Sequence, residues 1–331
     1  MFPKGCGQTM MLWLTVCISV VLLDTSACVG AARSPQTQTS TPPQAMSVGQ
    51  AVVLGIVEGL TEYLPVSSTG HLLLAERLMG IGAHPAAIPE GNQRAKDASD
   101  AYTICIQAGA IVAVLGLYAR RVRQMGAGLL GRDPHGARLV LNIVAGFLPA
   151  AVVGLLCNRL IKEYLFGPWP VVVAWLFGGI AILAIDRWRH RRGGSVQPGE
   201  GLEQLAWSSA LLIGVAQCLA MWPGTSRSLA TIAGGLLVGL SLPAAVEFSF
   251  LLGVVTLGAA TAYDALKHGK LMLQTFDPLA LAVGLVFAFL AAVVSVKWMV
   301  NYLNRHGLAI FGYYRVALAL LVTPLILGGY L

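Results

Sequence analysis

Two short stretches of this chain concentrate side chains able to do chemistry within otherwise apolar sequence. In the first, Glu58 and Glu62 stand four residues apart, followed by Pro65 and the run Ser67-Ser68-Thr69-Gly70-His71. The spacing projects both carboxylates from one face of one helix. Neighbouring carboxylates share a cation or a proton, so metal binding or proton handling is the chemistry expected of them. The run after Pro65 supplies hydroxyls, an imidazole and the backbone N–H groups of a small-residue turn, which can converge on an anion. A hydroxyl beside a histidine can be an activated nucleophile. Alternatively, His71 attacks directly.

The second stretch, Pro223-Gly224-Thr225-Ser226-Arg227-Ser228, opens an apolar helix that continues through Thr231. The guanidinium of Arg227 is a planar fork suited to phosphate, and a helix N-terminus behind it adds N–H donors. The same guanidinium could instead neutralise Glu58, Glu62 or Glu247. Glu247 and Arg315 also lie in apolar blocks, with Asp186 at a block edge. Glu247 and Arg315 read either as a buried pair or as support for the site. Gln107 and Gln217 read either as polar contacts or as packing. A charge at the centre of a bilayer costs about 2.5–3.5 kcal/mol on insertion scales. Several such charges in one chain are expected to face one another or water, as a polar site inside a helix bundle.

The elements that must hold this site follow from composition. Of 331 residues, 56% are hydrophobic and 11% charged, against about 45–50% and about 25% for soluble domains. An ordinary soluble domain and a disordered chain are both excluded. Apolar blocks at 47–64, 102–119, 139–156, 171–186, 205–222, 228–240, 245–263, 278–296 and 310–330 indicate an all-α polytopic membrane protein. Blocks 47–64 and 205–222 each end at a proline and a Ser/Thr/Gly cluster, the pattern of a broken helix. Irregular backbone in a membrane is tolerated where it is buried in protein or lines a wet cavity.

Loops 120–138, 187–203 and 297–309 carry +4, +2 and +2, whereas 65–101, 157–170 and 264–277 carry −1, +1 and 0. The positive-inside rule places the first three in the cytoplasm. The net charge of +7 is therefore read as orientation, and no nucleic-acid partner is expected. This alternation requires 47–80 and 205–240 to be re-entrant helical hairpins entering from opposite sides. With about six transmembrane helices, three per half, the result is an inverted repeat. The expected halves are 46–204 and 205–331. Residues 1–45 read as a signal-like or anchor segment with a disordered tether: Met10–Leu23 is apolar, and 33–44 is rich in Gln, Thr, Ser and Pro. The six cysteines have no metal-site spacing.

The run Glu58-Gly-Leu-Thr-Glu62-Tyr-Leu-Pro-Val-Ser-Ser-Thr-Gly-His71 and the run Pro223-Gly-Thr-Ser-Arg-Ser228 with Thr231 resemble the two signature motifs of the bacitracin-resistance type undecaprenyl-diphosphate phosphatases. The resemblance covers roughly 47–331 and extends to Gln107-Ala-Gly and Glu247-Phe-Ser-Phe. It implies hydrolysis of undecaprenyl diphosphate to the monophosphate and inorganic phosphate, which recycles the lipid carrier for peptidoglycan synthesis and confers bacitracin resistance. It also implies a bacterial inner-membrane location and dependence on a divalent cation, Mg2+ or Ca2+. On this resemblance Glu58 and Glu62 hold the cation. Ser67, Thr69, Ser226, Arg227, Ser228 and Thr231 bind substrate, and Ser68, His71 and Glu62 are catalytic. The reading carried forward has Ser68 as nucleophile, His71 as acid/base, and a site open to the periplasmic side. The partners expected are the lipid substrate and the bilayer, with homodimer formation left open. Leu229, where a small residue is usual, is expected to crowd the second loop. A rival reading is a secondary transporter or lipid flippase, since inverted repeats with midplane carboxylates are transporter devices; it leaves the Ser-Ser-Thr-Gly-His run without a purpose.

Overall fold

The computed structural model describes residues 46–81, 90–165, 167–191 and 199–329. The segment 1–45, read above as signal or anchor, lies outside them. The described residues form eleven α-helices, with one isolated bridge between Glu200 and Leu240. The order is α1 (Val48–Thr61), α2 (Ser68–Leu78), α3 (Glu90–Leu117), α4 (Ala119–Leu129), α5 (Pro134–Leu165), α6 (Pro168–Arg191), α7 (Trp207–Gln217), α8 (Arg227–Leu237), α9 (Leu242–Thr275), α10 (Pro278–His306) and α11 (Ala309–Leu327).

Five helices are long and apolar enough to cross a membrane: Pro134–Cys157 within α5, then α6, α9, α10 and α11. Ala101–Leu117 and α4 together are apolar enough for a sixth, broken span, with a bend of 82° between them. The loop expected at 120–138 is therefore partly helical. Its basic side chains follow an apolar helix and then turn away from it. Arg121 is bound by Glu203 at 2.8 Å and by Glu247 at 2.7 Å. Its hydrogen bond holds the Glu203 carboxyl below the usual carboxylate range.

The α1–α2 and α7–α8 pairs are the expected re-entrant hairpins. At 1.5 Å per residue, the 14 residues of α1 and the 11 of α2 reach about 21 and 16 Å, short of a hydrocarbon core of about 30 Å. In the second hairpin, α7 also has 11 residues and is extended by a 3-10 turn at Cys218–Met221 before α8 begins. Packing is crosswise: α1 lies on α10, and α7 lies on α5. The pairs α3–α9 and α6–α11 join the halves between them. Exchanging the first half for the second maps α1–α10 onto α7–α5 and returns α3–α9 and α6–α11 to themselves, as an inverted repeat requires. Close approach carries the hairpins: a Cβ on Gly59 would strike the Ala288 carbonyl of α10, and one on Gly214 would strike the Gly146 carbonyl of α5. Small residues permit such contact where lipid supplies little hydrophobic drive for helix association.

Candidate functional site

The tips of the two hairpins meet. Each second arm starts at a serine with left-handed backbone, Ser67 at φ 75° and Ser226 at φ 78°. Non-glycine residues adopt this conformation only where the surroundings over-determine it, and here it recurs at the same place in both hairpins. The second tip then holds the first: Ser228 Oγ donates to the Leu64 carbonyl at 2.8 Å, Ser226 Oγ to the same oxygen at 3.4 Å, and the two hydroxyls lie 3.0 Å apart. Ser226 Oγ also accepts from Leu229 N–H, capping α8. The Leu229 side chain is buried in the main apolar core.

Across this junction Glu62 meets both hairpins' polar groups. Its Oε1 lies 3.4 Å from Arg227 Nη2, and its Oε2 accepts from Ser68 Oγ at 2.5 Å. Arg227 Nη1 donates to the Ser249 carbonyl of α9 at 2.9 Å, and its guanidinium stands 5.2 Å over the Tyr63 ring. Thr231 Oγ1 contacts Ser249 Oγ at 2.6 Å and donates to the Arg227 carbonyl. Glu58, Glu62, Ser67, Ser68, His71, Ser226, Ser228 and Thr231 are all buried. Thr69, half-buried on α2, takes no part in these hydrogen bonds. Among the candidate salt partners, Arg227 pairs with Glu62, not with Glu247.

Glu58 lies one helical turn before Glu62, is fully buried, and both its carboxylate oxygens lack a hydrogen-bond partner. A buried carboxylate with no partner is costly. Two oxygen-bearing acids at this position suit a hard divalent cation, whose other ligands would be water and phosphate oxygens. Among the described residues no group of three or more His, Cys, Asp or Glu side chains clusters as a metal cage.

The His71 ring is hydrogen-bonded at both nitrogens. Its Nδ1 contacts the Ser67 carbonyl at 2.6 Å and its Nε2 the Tyr314 hydroxyl at 2.7 Å. The Ser68 hydroxyl has Glu62, not His71, as its partner. The ring turns back along α2 to the carbonyl one turn earlier, and Tyr314 of α11 takes its other nitrogen.

Glu247 and Arg315 are not a pair. Glu247 binds Arg121 at the end of the bundle where α4 and Glu203 lie. Arg315, fully buried on α11, donates to four carbonyls: Pro65 at 3.3 Å, Gly224 at 2.7 Å, Ala174 at 2.8 Å and Trp175 at 3.4 Å. One guanidinium thus ties both hairpin turns to α6. Its room comes from Gly178, where a Cβ would strike the guanidinium. Asp186 lies outside the site and accepts from Leu308 N–H before α11. Gln217, in the second hairpin, is buried and contacts Thr256 at 3.4 Å. Sequence reasoning missed Tyr314 and the carbonyl-binding role of Arg315. A lone arginine in an apolar helix was the available signal, but its partners are backbone groups with no sequence signature.

Residues 51–321 match the family described as "Bacitracin resistance protein BacA". The chain is 45% identical over 273 residues to a protein of Sorangium cellulosum named undecaprenyl-diphosphatase, covering 82% of this chain and 84% of that one. It is 44% identical to undecaprenyl-diphosphatase 2 of Rhodospirillum rubrum, covering 82% and 93% of the two chains. Against the undecaprenyl-diphosphatase of Nitrosomonas europaea the identity is 43%, covering 82% and 92%. With a match that spans both hairpins and every residue of the tip junction, the chain belongs to the bacitracin resistance protein BacA family.

Proposed function

We propose that this membrane protein hydrolyses undecaprenyl diphosphate to undecaprenyl phosphate and inorganic phosphate. The observation that carries the reading is the chain Ser68–Glu62–Arg227, which joins a hydroxyl, a carboxylate and a guanidinium across two hairpins. Phosphoryl transfer needs mainly positioning and charge stabilisation, and this arrangement supplies both. Arg227 and the N–H groups at the start of α8 hold the terminal phosphate. Ser68 passes its proton to Glu62 as its oxygen bonds phosphorus, and undecaprenyl phosphate leaves. Water then cleaves the phosphoserine, releasing phosphate and restoring the hydroxyl. Ser67, Thr69, Ser226, Ser228 and Thr231 shape the pocket for the head group. Glu58 and Glu62 would hold a divalent cation, Mg2+ or Ca2+, which neutralises charge on the phosphates when bound.

The His71 ring is bonded to Ser67 and Tyr314, not to Ser68, and its acid/base role is to exchange a proton with the leaving or attacking group. This departs from direct activation of Ser68 by His71. The boundary near 204 is read as the join of a duplicated half, supported by the matched hairpin turns. We infer a bacterial inner-membrane location with the site open to the periplasm; the basic loops 120–138, 187–203 and 297–309, which the positive-inside rule assigns to the cytoplasm, support this orientation. Carrier recycling for cell-wall synthesis and bacitracin resistance follow from the reaction.

A transporter is not favoured, since transport gives no role to a serine hydroxyl hydrogen-bonded to a carboxylate. Purified protein in detergent, given undecaprenyl diphosphate and Mg2+ or Ca2+, should release phosphate. Detergent micelles have no second compartment, so absence of release from folded protein would defeat the enzyme reading.

A further inference from the structure

The two ring nitrogens of His71 are committed in different ways. Nδ1 faces the Ser67 carbonyl at 2.6 Å. A carbonyl only accepts, so Nδ1 carries a proton. In the neutral ring the lone pair is then on Nε2, and Nε2 lies 2.7 Å from the Tyr314 hydroxyl. A phenol can donate to that lone pair, or accept from Nε2–H once the ring is protonated. The contact is therefore satisfied in both protonation states. The two rings also lie nearly parallel, at 11° with centroids 5.7 Å apart, and Trp175 packs near the imidazole at 5.4 Å.

Tyr314 comes from α11, 243 positions along the chain from His71. Its neighbour Arg315 binds the carbonyls of both hairpin turns. The anchor that fixes the turns thus also fixes where the phenol stands. Ser67, whose carbonyl orients Nδ1, has left-handed backbone, so both ends of the imidazole are held by groups with little freedom to shift.

We propose that Tyr314 is a positioning residue of the phosphatase reaction: its hydroxyl holds the Nε2 lone pair and ring plane of His71, so that the imidazole enters the reaction as one tautomer aimed in one direction. The proposal rests on the phosphatase reading above. Tyr314→Phe keeps the stacked ring and removes only the hydroxyl. Loss of one neutral hydrogen bond predicts a kcat about three- to tenfold lower, with KM little changed. In a His71→Ala background the Phe substitution should cost nothing more, because its effect runs through the imidazole.

A second measurement is independent of turnover. In protein labelled with 15N-histidine, the His71 signals are assigned by their loss in His71→Gln. Tyr314→Phe should move the Nε2 resonance downfield as its lone pair loses a donor, while Nδ1 stays in place. Wild-type kcat in Tyr314→Phe, an equal loss in both backgrounds, or an unmoved Nε2 resonance would overturn the proposal. If wild-type protein releases no phosphate, the phosphatase reading falls instead, and the resonance still reports whether Tyr314 holds the imidazole.

Discussion

Glu62, buried at the end of one hairpin's first arm, and Arg227, half-buried at the start of the other's second arm, stand 3.4 Å apart. They are 165 positions apart in the chain, so their meeting depends on the whole fold. Two charges that would each be costly in hydrocarbon thereby neutralise one another where the hydroxyl of Ser68 also arrives.

Ser68→Ala removes the proposed nucleophile, and Glu62→Gln removes its proton acceptor. Loss of a general base typically costs about 10²–10⁴-fold. Phosphate release from purified Glu62→Gln protein should fall within that range, and Ser68→Ala should fall at least as far. Near wild-type release by Ser68→Ala would remove that residue as nucleophile.

Gly253 on α9 leaves the space that Arg227 occupies; a Cβ there would strike the guanidinium. Gly253→Ala should push Arg227 off Glu62 without touching substrate. A displacement of about 1 Å at a reacting group can cost on the order of 100-fold. Steady-state kinetics should register the loss, while expression level and elution from size exclusion stay near wild type.

Arg315→Met should destabilise the junction, because it strands the carbonyls of Pro65 and Gly224. An unsatisfied buried polar group costs about 1–3 kcal/mol. Thermal unfolding in detergent should shift to lower temperature. Arg315→Lys should recover only part of the loss, since an ammonium lacks the fork that reaches several carbonyls at once.

Glu58→Gln tests the cation. The substitution keeps the shape of the side chain and removes its charge. The Mg2+ or Ca2+ concentration for half-maximal phosphate release should rise by about tenfold or more, given what loss of even supporting groups costs metal sites. Chelation of wild-type protein should abolish release, and added cation should restore it. A metal titration curve unchanged by Glu58→Gln would take that carboxylate out of the cation site.

Much of this was legible in the residues themselves. Apolar blocks bounded by Pro65 and Pro223 foretold two short hairpins, because a proline followed by small polar residues cannot continue a buried helix. Glu58, Glu62 and Arg227 announced a shared polar interior, because isolated charges do not persist in hydrocarbon. Loop charge set the number of crossings. What the residues could not announce was partnership. Helix periodicity says which face a side chain occupies, not which distant atom fills the space opposite it. The turn of the first hairpin decided the assignment of Ser68 to Glu62, the bend of α3 into α4 that of Glu247 to Arg121, and the packing of α6 and α11 around the hairpin tips that of His71 to Tyr314 and of Arg315 to four backbone carbonyls. Backbone acceptors are identical at every residue, so only the tertiary structure could choose among them.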